Sequence, residues 1–198
     1  RRGCTVKVVP YDTTAEQIKA MNVDGIMLSN GPGDPAENVG VIAEIKKLCE
    51  YGKIPIFGIC LGHQLLALAN GAQTMKLKYG HRGANQPVKY TKTGRVYITS
   101  QNHGYAVKND CLPEGAVQSF VNTNDGTCEG LTYTKIPAFS VQFHPEACSG
   151  PLDANFLFDE FVTLINNHDY FKNFKSEYER VDAIAYFAST IKATKAKA

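Results

Sequence analysis

The chain has 198 residues, 43% hydrophobic, 20% charged and 10% aromatic, with 17 Gly and 9 Pro. This is the size and composition of one globular domain, or one and a half, and it excludes repeat arrays, long coiled coils and disordered or collagen-like chains. Lys plus Arg number 21 against 19 Asp plus Glu, and the resulting +2 supplies no field of the kind that nucleic-acid binding needs.

Arg1-Arg2-Gly3 resembles the last turn and the C′ position of a helix, so the chain reads as starting partway through a larger polypeptide. Strands are expected at residues 5–9, 25–29 and 54–59. Between the first two, Thr13-Thr14-Ala15-Glu16 reads as a capping box that opens a short helix through Ile18 and Met21. Between the next two, Val39, Ile42, Ala43, Ile45 and Leu48 form a helical stripe over residues 39–51. Such a βαβαβ order implies an α/β fold whose sheet is mostly parallel in its N-terminal part. From about Arg95 the style changes to closely spaced β runs at 96–99, 116–121, 129–133 and 138–143, with corners at Asn124-Asp125-Gly126 and Lys135-Ile136-Pro137. These should add antiparallel strands to the same sheet. Residues 151–167 read as an amphipathic helix burying Phe156, Leu157, Phe161, Leu164 and Ile165, and a further helix is expected at 176–191 before a Lys/Ala/Thr tail of linker type.

No apolar run approaches the ~20 residues that a bilayer span takes, and no signal peptide precedes residue 5. The six cysteines form no C-x-x-C pair and lack His partners at metal-site spacing, so the chain reads as a reduced, cytoplasmic protein without a metal.

The strongest chemical signal is Gly58-Ile59-Cys60-Leu61-Gly62, where an apolar strand runs into a helix. Small residues on both sides of a nucleophile permit the tight strand-to-helix elbow that projects a thiol from the sheet edge. A helix N-terminus there favours the thiolate, and the Leu61 N–H would face an oxyanion on an attacked acyl group. Cys4, Cys49, Cys111 and Cys128 read instead as small core hydrophobes. His144 ends a strand and precedes Pro145-Glu146. Proline biases the preceding residue toward extended backbone, where residues two apart share a side, so His144 and Glu146 are placed to meet as base and orienting carboxylate. His63, His81 and His168 read as satisfied or solvated. Ser29-Asn30-Gly31-Pro32-Gly33-Asp34-Pro35 is either a backbone that approaches a ligand closely or a rigid βα turn, with equal weight, and it is not a P-loop. Ser100-Gln101-Asn102-His103-Gly104-Tyr105, taken alone, reads as a polar loop.

Together, Gly58 to Gln64 and Phe143-His144-Pro145-Glu146-Ala147 resemble the class I (triad) glutamine amidotransferases. Leu28 to Pro35, Gly80-His81-Arg82-Gly83-Ala84-Asn85-Gln86-Pro87-Val88 and Gln101 to Val107 narrow the resemblance to the glutaminase domain of carbamoyl phosphate synthetase, as a small subunit or its fused equivalent. The resemblance implies a flavodoxin-like open sheet with helices on both faces. It implies a domain over residues 1–168, without its first strand and most of its first helix, and a C-terminal extension over 169–198. It further implies a Cys60, His144, Glu146 triad and an oxyanion hole from the N–H groups of Leu61 and Gly31. Gly33, Gln64, Asn102, Gly104 and Tyr105 would hold L-glutamine. The implied reaction releases ammonia through a glutamyl thioester to a synthetase large subunit or fused synthetase domain. ATP, Mg²⁺ and bicarbonate would be used in that partner, and no cofactor in this chain. The family's small subunit carries in addition a large N-terminal domain, not found here, that contributes a serine to glutamine binding. Two other functions fit parts of the pattern: another Cys hydrolase of the same fold, such as a γ-glutamyl peptidase, and a non-catalytic scaffold that regulates a synthetase.

Overall fold

The computed structural model describes residues 2–147 and 154–167. Helix α1, Ala15–Ala20, starts at a capping box one residue later than the sequence suggests: the Thr14 side chain accepts from the Gln17 N–H, and the Gln17 side chain returns to the Thr14 N–H. Glutamine serves as well as glutamate at this position because the box needs only an acceptor. Strand β1 is Ile26–Leu28. A 3-10 turn, Pro35–Glu37, is capped by Asp34 and leads into α2, Val39–Tyr51, which ends on Gly52 in the left-handed conformation (φ 62°). Strand β2, Ile56–Ile59, passes through Cys60 directly into α3, Leu61–Ala69. Then follow β3, Thr74–Tyr90, β4, Val96–Val107, β5, Ala116–Asn122, β6, Cys128–Tyr133, β7, Ala138–Val141, and helix α4, Phe156–Asn166.

All seven strands form one sheet in the order β1-β2-β7-β6-β5-β3-β4. The β1–β2 and β2–β7 pairs are parallel and the remaining four pairs antiparallel. Alternation along the strands divides the core. Ile56 and Ala138 pack with Ile45 and Leu48 of α2 and with Leu65 and Leu66 of α3. Phe57, Ile59, Phe139 and Val141 pack on the opposite face with Leu157, Phe161 and Leu164 of α4. The Phe57 and Phe139 rings stack at 4.4 Å across the parallel pair. The sheet is therefore open, mixed and covered by helices on both sides, as expected, and the ends of β2 and β7 emerge side by side between the two layers.

Three expectations need correction, and one strand is an addition. Residues 5–9 have strand composition but no ladder, and Val6 and Val8 stay 78% and 90% exposed. Propensity alone makes no strand, because backbone N–H and C=O groups need a neighbouring chain, and none pairs with these residues among the described ones. Residues 74–90, where no element is expected from the sequence although Met75, Leu77 and Tyr79 alternate with Lys76 and Lys78, form the longest strand, pinned by its antiparallel ladder with β4. The polar run Ser100 to Tyr105 is the second half of β4 rather than a loop. Finally, the run 138–143 ends its ladder at Val141. The helix expected at 176–191, the tail, His168 and Cys148 lie outside the described residues.

Candidate active site

Cys60 sits where β2 hands over to α3, with φ 54° and ψ −106°, a backbone conformation that costs a non-glycine residue about 1–3 kcal/mol and persists where the surroundings enforce it. Those surroundings are explicit. The Cys60 N–H donates to the Val141 carbonyl at 2.9 Å, and the Gln64 N–H closes the first helical turn on the Cys60 carbonyl at 3.2 Å. A Cβ on Gly58 would lie 2.7 Å from the Gly62 oxygen, and one on Gly62 would run into the Leu28 carbonyl of β1. Only glycines therefore let strand, elbow and helix approach this closely. The N–H groups at the start of α3 have no carbonyl inside the helix to bind, so Leu61 presents a donor beside the thiol.

His144 lies in the segment that follows β7, two residues after Gln142, and its N–H donates to the Ser100 carbonyl of β4 at 2.9 Å. Its Nδ1–H donates to Glu146 Oε1 at 2.8 Å. With Nδ1 committed, the hydrogen bond between the imidazole and the Cys60 side chain falls to Nε2. That bond and the one to Glu146 outweigh partial burial and raise His144 to about 10. Glu146 is lowered: burial pushes its carboxyl up, and the His144 bond and charge more than reverse this. The arrangement can hold an imidazolium between a sulfur and a carboxylate, as general acid–base chemistry on an acyl group requires.

The other histidines are differently placed. His63 is fully buried, its Nδ1 lies 2.8 Å from Ser140 Oγ, and burial lowers it to about 3. Burial likewise lowers His103 to about 4, although its Nδ1–H donates to the Tyr105 carbonyl at 2.8 Å. His81 lies 3.3 Å from Glu129 and 2.8 Å from Asp125, and these two carboxylates raise it to about 9. Among the other cysteines, burial pushes Cys49 up to about 11 and Cys128 to about 12, while Cys4 is exposed and Cys111 only half-buried rather than in the core.

The expected substrate residues approach the elbow from two sides. Gly31 and Gly33 lie on the exposed loop after β1, and a Cβ on Gly31 would meet Leu61 Cδ2 at 2.7 Å, so this loop lies directly against the first residue of α3. Asn102, Gly104 and Tyr105 are on β4, Asn102 exposed and the other two half-buried. The Tyr105 hydroxyl donates to Asp34, which ties β4 to the glycine loop, and burial raises the phenol along with that carboxylate. Gln64 is buried, and its Nε2 donates both to the Tyr105 carbonyl at 2.6 Å and to Gln142 Oε1 at 2.8 Å.

Sequence reasoning did not single out Gln142, Gln101 or Glu129. Gln142 is buried with its Nε2 3.8 Å from Cys60 Sγ. Glu129 is fully buried, accepting from Gln101 Nε2 at 2.9 Å and from Asn122 Nδ2 at 3.3 Å. Ligand atoms of His81, His103 and Glu129 lie within 4.8 Å of one another. His81 faces the two carboxylates, and His103 donates its Nδ1–H to Tyr105 O. Glu129 already accepts from Gln101 and Asn122 and faces His81, so the cluster reads as a buried polar network. The signal that could have found it is a Glu inside an apolar strand, since a buried carboxylate demands partners.

The sequence profile of the class-I glutamine amidotransferases matches residues 1–164. The chain is 54% identical over 183 residues to the carbamoyl phosphate synthase small chain of Staphylococcus epidermidis, covering 92% of this chain and 48% of that one. It is 57% identical over 168 residues to the protein of the same name from Staphylococcus saprophyticus, covering 84% and 45%. It thus spans about half the length of the curated relatives it matches. Among solved structures, a putative GMP synthase component from Thermoplasma acidophilum superposes with a TM-score of 0.72 at 23% identity, over 85% of this chain and 84% of that one. A glutamine amidotransferase from Thermotoga maritima gives 0.50 at 17%, over 84% and 73%. These likenesses are of fold.

Proposed function

The chain belongs to the class-I glutamine amidotransferases, and we propose that it is the glutamine-hydrolysing segment of a carbamoyl phosphate synthase small chain. The observation that carries this reading is His144 held between the Cys60 side chain and Glu146, with Cys60 at a strained elbow on a helix start. Cys60 attacks the carboxamide carbon of glutamine as the thiolate, and the new C–S bond leaves a negative oxygen facing the N–H groups of Leu61 and Gly31. His144 gives its proton to the nitrogen as the C–N bond breaks, releasing ammonia and leaving a glutamyl thioester. Water then attacks that thioester while His144 takes a proton, and glutamate departs with the Cys60 sulfur again free.

The amino-acid end of glutamine lies against Gly33, Asn102, Gly104 and Tyr105. Gln64, its amide nitrogen committed to the protein, reaches the substrate with its remaining oxygen. Ammonia passes to a synthetase large subunit or fused synthetase domain, where ATP, Mg²⁺ and bicarbonate are consumed. Support for that partner comes from the small-chain relatives. A cytoplasmic location agrees with the fact that no helix among the described residues is long and apolar enough to cross a membrane.

Replacing Cys60 by Ala tests this reading. Ammonia release from glutamine should fall by about a millionfold, the loss expected when a site keeps binding and oxyanion donors but loses its nucleophile, while the circular dichroism spectrum is retained. Mass spectrometry of the parent chain quenched during turnover should find the glutamyl adduct on Cys60. Undiminished ammonia release, or an electrophilic glutamine analogue labelling Cys49 as fast as Cys60, would rule the assignment out. Acylation by γ-glutamyl peptides but not by glutamine would point to the peptidase.

A further inference from the structure

Building on the reading of Cys60 as a glutaminase nucleophile, we propose that Gln142 is a positioning residue for that sulfur: its side-chain amide, oriented through Gln64 by the Tyr105 carbonyl, directs an N–H at Cys60 Sγ and favours the thiolate. The orientation follows from donor and acceptor counting. A backbone carbonyl can only accept, so Gln64, 2.6 Å from Tyr105 O, must turn its Nε2 toward it. That carbonyl is fixed in turn by the His103 Nδ1–H at 2.8 Å. The second N–H of Gln64 needs an acceptor of its own, and the group 2.8 Å away is Gln142, which must therefore present Oε1. The Gln142 amide then has only Nε2 left for its other neighbour, the Cys60 sulfur at 3.8 Å.

All members of this relay are held. Gln64 and Gln142 are buried, Gln64 belongs to the first turn of α3, and the Gln142 N–H donates to the Glu129 carbonyl at 2.9 Å. An unpaired buried amide is costly, so flipping Gln142 would leave Gln64 without its acceptor. A fixed N–H beside sulfur gains strength when the sulfur becomes an anion, because charge-assisted hydrogen bonds are about twice as strong as neutral ones. Contacts of this kind are often long before substrate binds and tighten on the reaction path. Cys60 is thus approached from two sides, by His144 for the proton and by Gln142 for the charge. Because the far end of the relay is the Tyr105 carbonyl, the strand expected to hold glutamine also sets the donor that serves the nucleophile.

The experiment is the pH dependence of Cys60 alkylation by iodoacetamide, followed on the Cys60 peptide by mass spectrometry in the full chain, for the parent, Gln142→Leu and Gln142→Glu. In Gln142→Leu the midpoint of the thiolate limb should rise by about one pH unit, the tenfold effect expected for losing a hydrogen bond to a charged group. Gln142→Glu keeps an acceptor for Gln64 but turns a second oxygen toward the sulfur, and should raise the midpoint further. For glutamine, kcat should fall about tenfold in Gln142→Leu while KM stays within about twofold. A packing role alone would lower thermal stability and leave the alkylation midpoint where it was. If Gln142→Leu does not fold, the near-isosteric Gln142→Glu decides, together with Gln64→Met, which removes the orienting donor and should move the midpoint the same way by less. Folded variants with the parent midpoint overturn the proposal. A shifted midpoint in a chain that proves not to hydrolyse glutamine would uphold the Gln142–Cys60 contact and overturn only the glutaminase reading.

Discussion

Burial and partners divide the histidines: His63 and His103 are held low, to about 3 and about 4, chiefly by desolvation, whereas hydrogen bonds raise His144 to about 10. Only a histidine in the second condition, and in contact with Cys60, can both stabilise a thiolate and deliver a proton to departing ammonia at neutral pH. Glu146→Gln tests what the carboxylate contributes. The amide oxygen can still accept from Nδ1, so the ring stays oriented, but the anion that favours the imidazolium is gone. His144 should then lose its proton at lower pH, and the alkaline limb of kcat/KM should shift downward, with a loss of about tenfold or more at neutral pH. A pH profile identical to the parent's would mean that the carboxylate does not tune His144. This pair was legible in the sequence because Pro145 enforces an extended spacing between neighbours. Gln142 was not, because its meaning comes from Gln64 and Cys60, about eighty positions away in the chain, and a glutamine near a strand end carries no local mark of such a role.

At the scale of elements, the β2–α3 elbow is a problem in close approach. A side chain on Gly62 would overlap the Leu28 carbonyl, a backbone atom that cannot turn aside, whereas one on Gly31 would meet only the end of the flexible Leu61 side chain. Gly62→Ala should therefore force β1 away from α3, lowering stability by about 2–3 kcal/mol, the upper part of the overpacking range, and abolishing ammonia release. Gly31→Ala should leave the denaturation midpoint nearly unchanged. Urea titrations of the two variants make the comparison, and equal midpoints would show that the elbow has slack. The same chemistry explains which elements could be read in advance. Helices and parallel strands carry their apolar period in their own residues, and the capping box, glycine elbow and Asn-Asp-Gly corner are local. Strand β4 departs from that because its buried face runs Tyr97, Thr99, Gln101, His103. Alternation persists, but the inward residues are polar and find partners on other strands, Gln101 in Glu129 of β6 and Thr99 in the Gln86 carbonyl of β3, so an apolar criterion ends the strand at Thr99. Residues 5–9 fail in the opposite sense, since they have the right composition and no partner edge among the described residues.

For the molecule as a whole, the sheet joins two halves with different work: the parallel strands bring Cys60 and His144 to one edge, and the antiparallel strands extend the wall that faces them. The halves are tied at the His144 N–H to Ser100 carbonyl bond and through the Gln64 relay. The antiparallel half is in turn anchored by His81 of β3 against Glu129 of β6 and Asp125 of the β5–β6 turn, with the His103 ring edge-on at 4.9 Å. His81 is raised to about 9, first by the Glu129 bond. A histidine whose folded pKa lies above its unfolded value of about 6.5 contributes stability that is complete below pH 6.5 and is lost as pH rises through about 9. Glu129, raised by burial, acts in the same direction, because the folded state again holds the proton more tightly. Neutralising both groups in a His81→Gln, Glu129→Gln double variant should thus remove part of the pH dependence of stability. The parent should be the more stable chain at pH 6, and its advantage should shrink steadily to pH 9.5. There the histidine is neutral and leaves the buried Glu129 carboxyl without a cation beside it, so exchange of both for neutral side chains should cost nothing or favour the variant. His144 titrates through about 10 in both chains and cancels in the difference. Denaturant midpoints of the two proteins at pH 6, 7.5 and 9.5 measure it, and parallel curves would mean that His81 is uncharged in the folded chain and that the long β3–β4 hairpin is held by its ladder alone.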